Sequence, residues 1–311
     1  MQRGIMPAVI MSGTQIAKEV KARIREDPKN SGSTPLLATI LVGDNPASKT
    51  YLKHKHAACT EVGIASKNFE LPANTSQEEL QSILQRLSND PSITGILLQL
   101  PLPKGLDDVS AIGAISPNKD VDGLHPYNLG LLIQNAGELV PCTPKGIVVM
   151  LHYYGIEMKG REVVVVNRSK LVGRPLSQLL LNNDATVTVC HSKTRDLERI
   201  CKGADILITG IGHRSEFSVG PSMFKPGATV IYVGTSVIGG KVNGDVDFQK
   251  VSGVAAYLTP VPGGVGPMTI AMLLYNTMLA AYRTIGRKPT FRPEDLRLPN
   301  AHESDSSSRS G

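Results

Sequence analysis

Apolar residues recur along this chain in two alternating rhythms, short unbroken runs and longer stretches of helical period, and the alternation predicts the fold. The runs Leu36 to Val42, Ile93 to Leu98 and Glu162 to Val166 have strand length and read as buried strands. Between them lie helix patterns with start and stop signals. A first helix is expected over Thr14 to Ile24. The stretch from Asn45 to Gly63 reads as one capped helix, with Asn45 as cap, Pro46 at the first helical position and Gly63 as the left-handed residue past the end. A strand from Ala65 to Leu71 follows. Ser76 with Glu79 forms a capping box ahead of a helix ending near Asn89, and the Ile93 run completes a βαβαβ unit.

The pattern then restarts. Thr143-Pro144 opens a helix ending at Gly155, with Thr143 as its cap. The strand Glu162 to Val166 is followed by a turn, Asn167 to Pro175, and a helix to about Asn182. Strands Ala185 to Cys190, Asp205 to Thr209 and Thr229 to Val233 continue the rhythm, and Asn243-Gly244 marks a tight turn. A loop from Thr259 to Thr269 carries glycines that allow close backbone approach and prolines that stiffen it, with a last helix starting near Thr269. From Gly286 to Gly311 apolar periodicity is lost, which predicts a disordered tail. The fold class is α/β.

Composition agrees. The 311 residues suggest about two domains. Absent Trp and plentiful Gly and Pro favour α/β over a sandwich or bundle. The net charge of +6 is spread along the chain, so an ordinary basic surface, a polyanionic small substrate, a phosphate-bearing cofactor or nucleic acid would each explain it. Cys59, Cys142, Cys190 and Cys201 lie far apart with no C-x-x-C pair, indicating neither a metal cluster nor a disulfide framework, and hence a reducing compartment. The N-terminus is Pro-interrupted and unlike a signal peptide, and no segment reaches the ~18 apolar residues of a membrane span.

Candidate chemistry starts on the Asn45 helix. Ser48, Tyr51 and Lys55 are spaced i, i+3, i+7 and line one face, either as a solvated stripe or as a ligand-facing set. Gln99 ends the Ile93 strand before Leu100 and Pro101, where ligands of open parallel sheets bind, or it satisfies the turn's backbone. Asp120 and Asp122 beside Gly123 suit either a surface turn or a ligand-facing carboxylate. The turn after Val166 resembles an anion-binding strand-to-helix junction without a full G-x-G-x-x-G. At the next strand end, where an NAD site carries an acid, stand His191, Ser192, Lys193 and Thr194. With Arg168 they suit a 2′-phosphate and thus NADP, the other reading being an ordinary basic loop.

Taken in order, the Asn45 helix, QLPLP, KDVDG, TPKG, NRSKLVGRP, HSKT, GDVDF and the loop TPVPGGVGPMT resemble the bifunctional methylenetetrahydrofolate dehydrogenase/methenyltetrahydrofolate cyclohydrolase family, over nearly the whole chain up to the tail. The resemblance implies two α/β domains with a cleft between them. Residues 1–142 would form the folate-binding catalytic domain, completed by a C-terminal helix 268–285, and residues 143–267 a Rossmann-like parallel-sheet NADP domain. It implies Lys55 as catalytic lysine, Tyr51 as its partner, Gln99 as the amide that holds the lysine and Asp122 as the pterin-binding carboxylate. Ser48, Leu100, Pro101, Pro262, Gly263 and Gly264 would complete the folate site. The nucleotide would meet Arg168, Ser169 and Ser192, with Thr143, Asn167, Val172, Gly173, His191, Gly212, Gly234, Thr235, Gly266 and Thr269 around it. The expected partners are tetrahydrofolate one-carbon derivatives, with NADP (or NAD) as cofactor and no metal, nucleic acid or membrane. A cytoplasmic homodimer is expected. The departures lie on the cofactor side: Asn167 replaces the usual Gly, Tyr232 to Ser236 replace D-V-G-I-N, and Gly212-His213-Arg214 replace G-x-P. They bear on cofactor affinity and leave a cyclohydrolase with weak or NAD-linked dehydrogenase activity, or a silent binding protein, as alternatives.

Overall fold

The structure is a computed structural model describing residues 7–27, 34–212, 219–238, 241–244 and 246–298. After a two-residue strand, β1 (Val9–Ile10), and helix α1 (Gly13–Glu26), the first unit runs β2 (Leu36–Val42), α2 (Pro46–Val62), β3 (Ala65–Leu71), α3 (Gln77–Asn89) and β4 (Gly95–Leu98). Its parallel sheet has the order β3-β2-β4, with Ile40 paired to Phe69 on one side and Leu98 on the other. The central strand β2 is buried along almost its whole length, whereas β3 at the edge exposes alternate residues, which is why only the former reads as an unbroken apolar run. Leu80, Leu84 and Leu87 of α3 pack over it on one helical stripe.

The caps of α2 and α3 behave as the sequence predicts. The Asn45 side chain accepts from the Ser48 N–H at 3.0 Å, Gly63 closes α2 with φ of 79°, and Ser76 accepts from the Glu79 N–H.

Short helices α4 (Asp108–Gly113) and α5 (Pro126–Ile133) lead to α6 (Cys142–Tyr153). Thr143 is not the cap of α6. Pro141 stands at that position without a side-chain bond, and Thr143 lies in the first turn with its hydroxyl 2.8 Å from that of Thr269.

The second unit contains β5 (Glu162–Val166), α7 (Gly173–Leu181), β6 (Thr186–Cys190), α8 (Leu197–Cys201), β7 (Ile206–Thr209) and β8 (Thr229–Tyr232). A hairpin of β9 (Thr235–Ile238) and β10 (Lys241–Gly244), then α9 (Phe248–Ser252), β11 (Tyr257–Leu258) and α10 (Val265–Thr284) complete it. The parallel sheet has the order β1-β11-β8-β7-β5-β6.

The structure adds a strand and changes further expectations. The N-terminal β1 pairs with β11, so the start of the chain closes the edge of the second sheet, which a two-residue strand is too short to signal. Asn243 and Gly244 are in a strand opposite Ser236 and Thr235, not in a turn. The last helix starts at Val265, four residues before the expected Thr269, because the loop's Pro267 falls in its first turn, where a missing N–H is harmless. By length and composition α10 could also cross a membrane; it is instead largely buried and packs on α1, α2 and α6.

The stretch expected to be a disordered tail holds to the body as far as Leu298. Thr290 donates to Asp27 at 2.8 Å, the Phe291 ring meets Tyr275 edge-on at 5.5 Å, and the Leu298 N–H bonds the Tyr153 carbonyl. A few anchors suffice there, which no periodicity reveals; residues 299–311 lie outside the described residues. All four cysteines are buried and unpaired.

Candidate active site

The carboxyl ends of the first sheet, α2 and the start of α6 enclose a chamber of about 180 Å³ lined by Tyr51, Lys55, Gln99, Leu100, Asp122, Cys142 and Thr143, among others. Lys55 is the element that makes it unusual. It sits on the inner face of α2, only 6% exposed, with Nζ donating to Gln99 Oε1 at 3.0 Å and lying 4.4 Å from the centre of the Tyr51 ring. Gln99 in turn donates from Nε2 to the Leu100 carbonyl at 2.7 Å, which fixes the amide so that its oxygen, the acceptor, faces the amine. One end of the Gln99 amide thus satisfies the turn and the other holds Lys55. Burial disfavours the ammonium and lowers the Lys55 pKa, while the Asp122 carboxylate acts in the opposite direction. Burial also raises the Tyr51 hydroxyl pKa, helped by Asp122, so Tyr51 stays a neutral hydrogen-bonding phenol.

The two acids of the Lys119 to Gly123 segment have separate fates. Asp120 is 2% exposed, and its Oδ2 accepts from the His125 N–H and Asn128 Nδ2, both at 2.8 Å, so it builds the turn. Asp122 faces the chamber. Its position is set from behind: Asn276 of α10 donates to the carbonyls of Val121 and Val140, and Gly123 has φ of 71° with a Cβ position only 2.3 Å from the Val140 carbonyl carbon. A side chain at 123 would push the segment off its neighbour.

Tyr51, Thr143 and Thr269 also line a larger cavity of about 1030 Å³ between the two units. Pro262, Gly263, Gly264 and Gly266 form one wall, Val172 and Val233 mark the second unit, and Lys18, Lys21, His54 and Glu61 form the far end. Those last residues escape a reading by motif. They lie on the helical repeats of α1 and α2, and extending the Tyr51 face by i+3 to His54 would have found one of them. Ser48 shares the expected spacing but is buried in the first turn and lines neither cavity; Pro101 is exposed and also lies outside both. Lys53 is solvent-facing, and Lys49 reaches out to Glu70.

On the second unit, strand β5 is flanked by β7 and β6, so the chain leaves in opposite directions from the carboxyl ends of β5 and β7 and opens a crevice there. Asn167, Arg168, Ser169 and Gly173 line that junction. At the end of β6 the His191 N–H bonds the Thr194 hydroxyl and the His191 ring accepts from the Lys193 N–H, which closes a tight loop. Ser192 and Lys193 are left exposed, as is Arg168. An exposed hydroxyl and cations without a carboxylate form a donor set that fits a phosphorylated ribose and repels no anion. Gly212 and Gly234 follow the carboxyl ends of β7 and β8, which are parallel; the departures at His213 and Arg214 fall outside the described residues, as do the side chains of Thr235 and Ser236.

Comparison with known proteins agrees with this geometry. Residues 11–122 match the model of the tetrahydrofolate dehydrogenase/cyclohydrolase catalytic domain, and residues 141–285 that of the corresponding NAD(P)-binding domain. The chain is 50% identical over 279 residues to the bifunctional protein FolD of Nitrosopumilus maritimus, covering 89% of this chain and 97% of that one. Among solved structures, the bifunctional enzyme FolD of Campylobacter jejuni superposes with a TM-score of 0.86 at 42% identity, covering 89% of this chain and 99% of that one. The methylenetetrahydrofolate dehydrogenase-cyclohydrolase of Trypanosoma brucei, solved with NADP and an inhibitor, gives a TM-score of 0.85 at 37% identity, covering 90% and 99%.

Proposed function

The chain belongs to the tetrahydrofolate dehydrogenase/cyclohydrolase family, and from that premise we propose that Lys55, Tyr51, Gln99 and Asp122 carry its chemistry. It is a bifunctional enzyme that oxidises 5,10-methylenetetrahydrofolate with NADP and hydrolyses the resulting methenyl compound to 10-formyltetrahydrofolate. The observation that supports the assignment of roles is the buried Lys55 amine, held by Gln99 over the Tyr51 ring in the chamber it shares with Asp122.

When bound, NADP supplies the hydride acceptor. Arg168, Ser169 and Ser192 would hold its phosphates. The protein's own task is placement of two planar ligands and management of one proton. Asp122 accepts from the pterin amino group and ring N–H, and Tyr51 flanks the folate. In the second step, water attacks the electron-poor methenyl carbon, the bond from that carbon to N5 breaks with N5 taking one of the water's protons, and the other proton is given up as the 10-formyl product forms. Lys55 in its neutral form takes that proton at Nζ, and Gln99 aims the amine. We divide this work between a folate unit, residues 1–142 with the last helix, which starts at Val265, and a nucleotide unit that follows residue 142 up to that helix and whose sheet edge is closed by β1.

The rate of the hydrolytic step should rise with pH along a limb set by Lys55, below the range of a free lysine because burial lowers its pKa. Asp122 raises that pKa, so in Asp122→Asn the limb should move to lower pH while the affinity for folate falls. Measured pH–rate profiles check this; an unmoved limb would separate Asp122 from Lys55.

Ser192→Asp should weaken NADP by about tenfold or more through repulsion of the 2′-phosphate, and NAD far less. Equal effects in equilibrium binding of the two nucleotides would put the 2′-phosphate elsewhere.

We extend the reading to a cytoplasmic homodimer whose 10-formyl product is of the kind purine biosynthesis uses, with neither nucleic acid nor membrane as partner.

A further inference from the structure

Asn167 stands at the carboxyl end of β5, in the mouth of the crevice between β5 and β7. The family's usual residue there has no side chain, and an extra amide in a phosphate site suggests crowding. The geometry points elsewhere. The Asn167 side chain turns inward and bonds main chain on both lips of the crevice. Its Oδ1 accepts from the Ser169 N–H at 2.8 Å and the Gly173 N–H at 3.0 Å, and its Nδ2 donates to the Gly210 carbonyl just past β7.

The notch is shaped for this amide. A Cβ at Gly210 would lie 2.9 Å from Asn167 Nδ2, so a glycine just past β7 leaves the amide its room, whereas Gly173 is kept bare first by the Asn167 carbonyl, whose oxygen a Cβ there would meet at 2.1 Å. The rest of the turn is closed in the same way. Ser169 Oγ accepts from the Val172 N–H at 3.1 Å, and the Ser169 carbonyl accepts from the Arg174 N–H. These bonds hold the Arg168-Ser169 pair at the crevice while its side chains stay exposed. They also use the Gly173 N–H at the start of α7, a group that would otherwise point at an anion.

We propose that Asn167 is a positioning residue for the dinucleotide: by tying the ends of β5 and β7 together it presets the turn that carries Arg168 and Ser169, and it acts on NADP and NAD alike. The proposal rests on reading this crevice as the nucleotide site. It also separates two roles, with the Asn167 staple setting overall dinucleotide affinity and the end of β6 setting the preference for the 2′-phosphate.

The test is equilibrium titration of the full chain by calorimetry with NADP⁺ and with NAD⁺, in wild type, Asn167→Ala and Asn167→Gly. Both variants should raise both dissociation constants by about tenfold, the scale of one net hydrogen bond. Stoichiometry and the NADP/NAD ratio should stay unchanged. A residue with a merely structural role would lower the thermal midpoint or the stoichiometry while leaving affinity intact, and that result would overturn the proposal. Tighter binding in either variant would overturn it too, by showing that the amide competes with the pyrophosphate. A changed ratio would do so by making Asn167 a discriminator. Wild-type protein that binds neither nucleotide would overturn the reading of the crevice and the proposal with it, whereas unchanged binding in the variants overturns the proposal alone.

Discussion

Lys55→Met is expected to lower the hydrolytic rate by about a thousandfold, within the range that a positioned general base contributes, while the protein stays folded and binds folate. Methionine is unbranched, only one atom shorter than lysine and suited to an apolar site, so it fills nearly the same space and buries no charge at a position only 6% exposed. What is lost is the amine. Its removal leaves Gln99 Oε1 without its donor, which costs about 1–3 kcal/mol when no water replaces it. That is a fraction of a typical domain's stability, and Gln99 keeps its bond to the Leu100 carbonyl. Hydride transfer should fall less, because its chemistry is the cofactor's. The check is turnover of the methenyl substrate beside circular dichroism and folate binding of the same preparation. Near-wild-type turnover would remove Lys55 from the mechanism.

The second large effect is expected on the opposite wall. In Gly173→Ala the new Cβ would lie 2.1 Å from the Asn167 carbonyl oxygen and 2.4 Å from its carbon, and neither is the end of a flexible side chain. The start of α7 must therefore move away from β5. That motion breaks the Gly173 N–H bond to Asn167 and carries Arg168 and Ser169 out of register with the end of β6. A displacement of about 1 Å in a group that positions a reactant costs on the order of a hundredfold. NADP-linked oxidation should fall by about that factor, whereas the hydrolytic step, whose groups lie on the first unit, should retain most of its rate. Steady-state assay of the two steps on one preparation distinguishes this from global unfolding, in which both fall together.

Much of this was legible in the sequence, for physical reasons that also explain the gaps. Asn45, Pro46 and Gly63 fixed α2 because cap chemistry is local, and β2 and β5 were plain because strands covered on both faces read as continuous apolar runs. The end strand β1 was not legible, since two residues carry no periodicity and their partner β11 lies some 250 positions away. The same holds for the anchors Thr290 and Phe291 in the supposed tail. In the site, spacing brought Ser48, Tyr51 and Lys55 to one helix face but could not say how much of that face the neighbouring sheet covers. The structure keeps Tyr51 and Lys55 in the chamber and leaves Ser48 in the first turn. Asp120 and Asp122, indistinguishable as letters in one turn, part because only Asp120 meets Asn128 and the His125 N–H.

Tyr51, Lys55, Gln99 and Asp122 line one chamber, while Arg168, Ser169 and Ser192 follow strands of the other sheet, so those two groups can be probed apart. Asn167 is accommodated by its neighbours, and the end of β6 carries no carboxylate to exclude a 2′-phosphate.

The measurement that bears most directly on the whole is steady-state turnover of purified protein with 5,10-methylenetetrahydrofolate and either NADP⁺ or NAD⁺, following nucleotide reduction and the 10-formyl product together. NADP⁺ should be reduced and the 10-formyl product should accumulate, with NAD⁺ the poorer acceptor. Absence of NADP⁺ reduction at any practical concentration, with hydrolysis of the methenyl compound intact, would contradict the account.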